Sequence, residues 1–148
     1  MAVGVGDKAP PFRAPLADGT VFDLADRLGR SALVLFFYPK DDTPICTAEA
    51  CAFRDAYEEF TAAGAEVVGV SGDSAASHAA FARRHRLPFP IVSDSDGGVR
   101  RLYGVPRTLG FLPGRVTYVI DREGIVRLVF NSAFSSTGHV RRALDTLR

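Results

Sequence analysis

Seven consecutive apolar residues, ALVLFFY at 32–38, are followed at once by Pro39. A run of that length without alternation is what a central strand covered on both faces requires. The chain must therefore supply packing layers above and below a sheet. This is the longest purely apolar run, and it is far short of the ~20 residues that a membrane-spanning helix needs.

The remaining segments supply those layers. Residues 12–16 and 20–24 flank Ala17-Asp18-Gly19 and read as a small hairpin. A helix is expected from about Pro44 to Ala63, with Gly64 as its stop. EVVGV at 66–70 is a second buried strand, followed by an Ala-rich helix over 74–86 that halts before Pro88. A short strand at 90–93 and a short helix at 97–103 come next. Residues 115–120 and 125–130 are joined by Asp121-Arg122-Glu123-Gly124, a hairpin signal, and an amphipathic helix over 139–147 closes the chain. Parallel-type βαβ units followed by a terminal antiparallel hairpin imply an α/β fold: a thioredoxin-like central mixed sheet flanked by helices, with an N-terminal hairpin extension. A flavodoxin-like doubly wound sheet fits less well, because 116–120 and 125–130 are joined too tightly to run parallel. Residues 1–148 read as one domain.

Composition narrows the class of partner. Of 148 residues, 47% are hydrophobic and 24% charged, with 18 Lys+Arg against 17 Asp+Glu for a formal charge of +1. That balance gives no electrostatic reason to expect a nucleic acid or an anionic membrane as partner. The first residues, MAVGVGDKAPPF, show no basic segment leading into an apolar stretch, so the expected location is cytoplasmic.

Only two cysteines are present, Cys46 and Cys51, five residues apart. A disulfide-stapled secreted scaffold would spread more of them along the chain. Composition alone leaves two readings open, a pair of small buried hydrophobes or an intracellular redox pair. Their setting carries more information. They follow the end of the central strand, where open α/β sheets usually build sites. Thr43-Pro44 is a helix-start signature, with Thr43 as N-cap and Pro44 at the first helical position. Cys46 then falls in the first turn, where its backbone N–H can meet the Thr43 side-chain oxygen and the helix dipole favours a thiolate.

The dipole alone is insufficient. A free thiol is only a few per cent ionised at neutral pH. Making it mostly thiolate takes about two pKa units, or ~2.7 kcal/mol. A helix terminus typically contributes ~0.3–1 kcal/mol. Asp41 and Asp42 oppose it, so a cation is required. Lys40 is local but solvated, and an arginine arriving from another strand is the better candidate.

Spacing also constrains the pair. In a continuous helix, positions i and i+5 have Cα atoms ~8.6 Å apart, whereas a disulfide needs them within about 7 Å. Any Cys46–Cys51 bridge therefore requires local unwinding. C-x4-C is a poor zinc spacing, and His78, His85 and His139 are scattered, so neither a metal nor a cofactor is expected.

Pro39, Thr43, Cys46 and Glu49, in P-x-x-x-T-x-x-C-x-x-E spacing, resemble the peroxidatic motif of the peroxiredoxins. The longer stretch YPKDDTPICTAEACAFRD, the N-terminal VGDKAPPF and the late LPGRVTYVIDREGIVRLVF resemble the peroxiredoxin Q, or bacterioferritin comigratory protein, branch. The resemblance implies a monomeric, atypical two-cysteine thiol peroxidase acting on hydrogen peroxide and organic hydroperoxides. It implies that Cys46 attacks the peroxide and becomes sulfenic acid, and that Cys51 resolves it to an intramolecular disulfide. Thioredoxin or a similar dithiol donor would then reduce that disulfide. Thr43 would hydrogen-bond the peroxide, Pro39 would shield the sulfur, Arg115 would stabilise the thiolate and Glu49 would orient Arg115.

Arg107 competes with Arg115 for the cation role, and Glu49 also reads as an ordinary first-turn acid. Two other functions use the same residues. A thioredoxin-like disulfide oxidoreductase predicts C-x-x-C beside a Trp, and the chain has neither. A redox-switched sensor or binding protein would use the same disulfide-coupled unwinding. The loop 105–114 is expected to form a site wall, with Phe111 and Leu112 biasing which peroxides enter. Arg83-Arg84-His85-Arg86 reads as a solvated helix end.

Overall fold

The computed structural model describes residues 2–105, 107–108, 112–113, 115–132 and 136–147. The N-terminal hairpin forms as expected from β1 (Arg13–Pro15) and β2 (Val21–Asp23), paired antiparallel and followed by a 3-10 turn at Leu24–Asp26. The main sheet contains β3 (Ala32–Phe37), β4 (Ala65–Ser71), β5 (Ile91–Ser93), β8 (Val116–Ile120) and β9 (Val126–Asn131) in the order β5-β4-β3-β8-β9. β3 and β4 pair parallel, as do β4 and β5, whereas β8 is antiparallel to both β3 and β9. The all-apolar run thus becomes the central strand, and every residue of it is buried.

The two faces of β3 divide the core. Val34, Phe36 and Tyr38 point into one cluster, with Phe53, Phe60, Phe81, Val140 and Ala143. These come from α1 (Pro44–Asp55), α2 (Tyr57–Ala62), α3 (Ala75–His85) and α5 (Ser136–Leu147). Leu33, Leu35 and Phe37 point into the other cluster, with Phe12 and Phe22 of the N-terminal segment and Val99 and Tyr103 of α4 (Gly98–Tyr103). Phe36 stacks on Phe53 with ring centroids 4.4 Å apart, and Phe89 meets its edge at 5.4 Å. Gly69, beside Phe36 in the sheet, leaves room for that ring. A Cβ at residue 69 would sit 3.0 Å from the Phe36 ring.

Three expectations need correction. The helix expected over 44–63 is two helices, broken at Ala56, whose φ and ψ of −95° and 5° leave the helical basin. Neither Gly nor Pro marks the break in sequence. Packing favours it, because Phe53 and Phe60 both turn inward and bring their rings to 5.6 Å. The stop at Gly64 is as expected, with φ at +77° where a side chain would be strained. The loop 105–114 carries a small antiparallel pair, β6 (Arg107–Thr108) and β7 (Leu112–Pro113), too short to leave a periodic signal. Helix α5 begins at Ser136, three residues earlier than its apolar pattern suggests.

Candidate active site

The carboxyl end of β3 delivers Tyr38, Pro39 and the turn into α1, while β8 begins directly alongside. Phe37 pairs with Val116, so Arg115 lies level with Tyr38. A hollow of about 410 Å³ opens there, lined among the described residues by Pro39, Lys40, Thr43, Pro44, Ile45, Cys46 and Arg115. Four of the residues singled out in the sequence, Pro39, Thr43, Cys46 and Arg115, therefore share one wall.

Cys46 lies in the first turn of α1 and is buried, with its sulfur accepting a hydrogen bond from Arg115 Nη2 at 3.3 Å. Arg115 is itself almost wholly buried. A guanidinium held at that distance away from bulk water stabilises negative charge on sulfur far more than a solvated lysine could. Its other arm donates from Nη1 to Glu49 Oε1, also at 3.3 Å. Cys46 and Glu49, one turn apart on α1, thus grip the same arginine.

Glu49 is completely buried. Burial pushes its carboxyl up to about 8, although the charge and hydrogen bond of Arg115 pull the other way. That shift favours the protonated carboxyl at neutral pH. Oε2 has no hydrogen-bond donor among the described residues. His139 Nε2 lies 3.4 Å from it, but that nitrogen faces the carbonyl of Ser132 at 2.9 Å. The other ring nitrogen, Nδ1, is 2.7 Å from the Thr117 hydroxyl. Burial lowers the His139 imidazole to about 4, against the Ser132 hydrogen bond, with the Arg115 charge adding to the depression. His139 is thus neutral, donating from Nε2 and accepting at Nδ1. Nothing in the local pattern of α5 signals a contact across the sheet end.

Thr43 departs from expectation. It is the N-cap of α1 by backbone conformation, yet its side chain makes no capping bond. Its hydroxyl instead donates to the Lys40 carbonyl at 2.9 Å, holding the loop closed and leaving the first-turn N–H groups without a side-chain cap. The two aspartates expected to oppose a thiolate are engaged elsewhere. Asp41 is buried, and its carboxylate accepts from Tyr38 Oη at 2.6 Å, Ser77 Oγ at 2.8 Å and His78 Nδ1 at 2.7 Å. Burial alone would raise its pKa, but the hydrogen bonds from His78 and Tyr38 outweigh it and hold the carboxyl below its ordinary value. Asp42 pairs with Arg84 Nη1 at 2.5 Å and lies 3.6 Å from His85 Nε2. Two members of the basic cluster that reads as a solvated helix end thus face the site loop.

Cys51 is half-buried further along α1 and is not among the described residues that line the hollow. Both cysteines are free thiols, as the helical spacing requires. The side chains of Arg107 and Leu112, and Phe111 altogether, lie outside the described residues, so the expected site wall and the competing arginine are not placed.

Comparison with known proteins agrees with this architecture. The AhpC/TSA family model matches residues 5–129. A chloroplastic peroxiredoxin Q of Sedum lineare is 49% identical over 97% of this chain and 77% of its own. A chloroplastic peroxiredoxin Q of Populus jackii is 47% identical over 99% of this chain and 68% of its own. Among solved structures, the peroxidoxin BcpB of Mycobacterium tuberculosis superposes with a TM-score of 0.90 at 41% identity, covering 98% of this chain and 96% of that one. The Xanthomonas campestris peroxiredoxin Q gives 0.85 at 34% identity, covering 92% and 89%.

These names correct the cytoplasmic expectation, since the curated relatives are plastid proteins by name. The expectation rested on the first residues, MAVGVGDKAPPF, whose composition does not distinguish one reducing compartment from another. In family, the matches leave one reading: this chain belongs to the AhpC/TSA family, as a peroxiredoxin of the Q type and hence a thiol peroxidase.

Proposed function

We propose that Cys46 is the peroxidatic nucleophile and Cys51 the resolving thiol of a two-cysteine cycle. The observation that carries this reading is the 3.3 Å contact between the Cys46 sulfur and Arg115 Nη2 at a buried helix start. The Cys46 thiolate attacks one peroxide oxygen and the O–O bond breaks. Cys46 becomes sulfenic acid, and the departing oxygen takes a proton to leave as water or an alcohol. Arg115 and the uncapped N–H groups of α1 stabilise the charge that develops on oxygen. Thr43 offers its hydroxyl oxygen to the incoming peroxide, Pro39 keeps bulk water from the sulfur and Glu49 sets the orientation of Arg115.

Resolution follows when the first turns of α1 unwind. The Cys51 thiolate attacks the Cys46 sulfur, water leaves and a disulfide remains, which thioredoxin or a similar dithiol donor reduces by exchange. The hollow beside Cys46, faced by Pro39, Pro44 and Ile45, has room for an alkyl group as well as for hydrogen peroxide. The Xanthomonas campestris bacterioferritin comigratory protein, a structural relative, is described for its alkyl peroxide reduction activity.

The test is a single-equivalent titration. Fully reduced protein is mixed anaerobically with one equivalent of hydrogen peroxide, and residual peroxide, free thiols and intact mass are read together. Rapid loss of the peroxide and both thiols, with a mass two hydrogens lower, is expected. Cys51→Ser should still consume one equivalent and then stop, while Cys46→Ser should consume none. Multiple turnover by Cys46→Ser would overturn the assignment.

A further inference from the structure

Between the end of β3 and the start of α1, residues 39–43 form the part of the site wall that belongs to no helix or strand. Asp42, inside this loop, has a left-handed backbone with φ of 60°, unusual for a residue with a side chain. Something must hold the segment in that shape. The side-chain hydrogen bonds that do so converge from one side. Asp41 N–H donates to Asp73 Oδ2 at 2.6 Å, and its carboxylate accepts from Tyr38, Ser77 and His78. His78 Nε2 reaches back to the Ser71 carbonyl at 3.3 Å, and Ser71 Oγ donates to the Pro39 carbonyl at 3.5 Å. Arg84 of α3 secures Asp42. Apart from Tyr38 itself, every one of these partners lies in residues 71–84, at the end of β4, in the turn after it or on α3.

A core selected only for stability would have little use for this arrangement. Replacing a buried polar cluster by apolar side chains of similar volume is often neutral or stabilising, whereas a fully satisfied cluster specifies one geometry. The geometry specified here is that of Pro39 and Thr43 against the Cys46 sulfur. The side-chain anchoring named here comes from the β4–α3 side, whereas the bond between the loop and α1 is a backbone one, from Thr47 N–H to the Thr43 carbonyl at 2.8 Å.

We propose that the Asp41 clasp, with His78 as its central positioning residue, holds the peroxide-facing loop in register with Cys46, and so governs the oxidation step while leaving resolution free. This rests on Cys46 acting as the peroxidatic residue. The loop stays seated on α3 when α1 unwinds, so the site can re-form without rebuilding its wall. His78 touches neither peroxide nor sulfur and acts only through Asp41.

Rapid mixing with hydrogen peroxide, followed by acid quench, thiol alkylation and intact mass, separates the two steps by counting sulfenic acid and disulfide. His78→Leu fills the volume but removes both ring nitrogens. It should slow the second-order oxidation of Cys46 by about 10- to 100-fold, the range expected when a reacting geometry is displaced by a fraction of an ångström to an ångström. The first-order formation of the disulfide should stay within about twofold of wild type if α1 opens independently of the loop. His78→Asn, which can restore a donor toward Asp41 from the Nδ1 position, should recover most of the oxidation rate. Ser77→Ala and Tyr38→Phe each remove one donor and should give smaller losses in the same step, and they carry the test if His78→Leu does not fold.

Equal slowing of both steps, no slowing of either, or an Asn variant no better than Leu would overturn the clasp as a positioning device. Failure of the wild-type protein to oxidise Cys46 rapidly would instead overturn the peroxidatic assignment on which it rests. The wild-type trace therefore separates the two failures.

Discussion

Glu49 offers a quantitative test of how the site holds its charge. Its carboxyl is pushed up to about 8 in the fold, from an ordinary 4.5. Between those limits the folded protein holds a proton that the unfolded chain has released. Stability from this group is therefore fully present below about pH 4.5 and is lost as pH rises through about 8. One such proton corresponds to roughly 3 kcal/mol between about pH 5.5 and 7.5. Glu49→Gln keeps the shape and the acceptor toward Arg115 but has no proton to hold. The difference in unfolding free energy between the variant and the reduced wild type should thus move in favour of the variant by that amount across the window. For a chain of this size, ~3 kcal/mol corresponds to roughly 6–12 °C in Tm. Urea denaturation of both proteins at several pH values reads it directly, and taking the difference cancels other titrating groups such as His139. A difference that stays constant with pH would mean that Glu49 is ionised in the fold at neutral pH, and the reasoning from its burial would fail. The same substitution should leave peroxide oxidation near wild type at neutral pH, with the two proteins diverging only above about pH 8.

Two further outcomes follow from the packing. Arg115→Met should lower the second-order rate of Cys46 oxidation by about 10²- to 10³-fold, the usual loss when one preorganised donor to developing charge is removed; a near-wild-type rate in stopped-flow assays would show that the sulfur does not depend on it. Phe36→Ala removes a fully buried ring stacked on Phe53, and should destabilise the fold by about 3–5 kcal/mol in urea denaturation.

The elements with strong periodicity could be read from the sequence because their pattern answers to local geometry. The unbroken run at 32–38 could only be a doubly covered strand, and the tight joint at 121–124 compelled an antiparallel pair beside it. That a cation must reach Cys46 from another strand follows from the weakness of the helix dipole, whereas Arg115 rather than Arg107 was indicated by the family resemblance. What escaped depends on contacts distant in sequence. Asp41 and Asp42 looked like unfavourable neighbours of a thiolate, because their partners Ser77, His78 and Arg84 lie more than 35 residues away. The hydroxyl of Thr43 had two plausible acceptors or donors within reach, and the loop conformation chose the Lys40 carbonyl. His139 reaches Glu49 across 90 positions of sequence, which no local pattern can announce.

The interruption at Ala56 sets the size of the opening unit. Had residues 44–63 formed one continuous rod, fraying at the cysteines would have worked against about five and a half helical turns anchored by Phe60. Instead the segment bearing both thiols is a helix of 12 residues that ends at Asp55. A helix that short is marginal by itself in water and persists only through what it packs against. In the proposed cycle, the break confines the unwinding to this segment and leaves α2 and the sheet behind it in place.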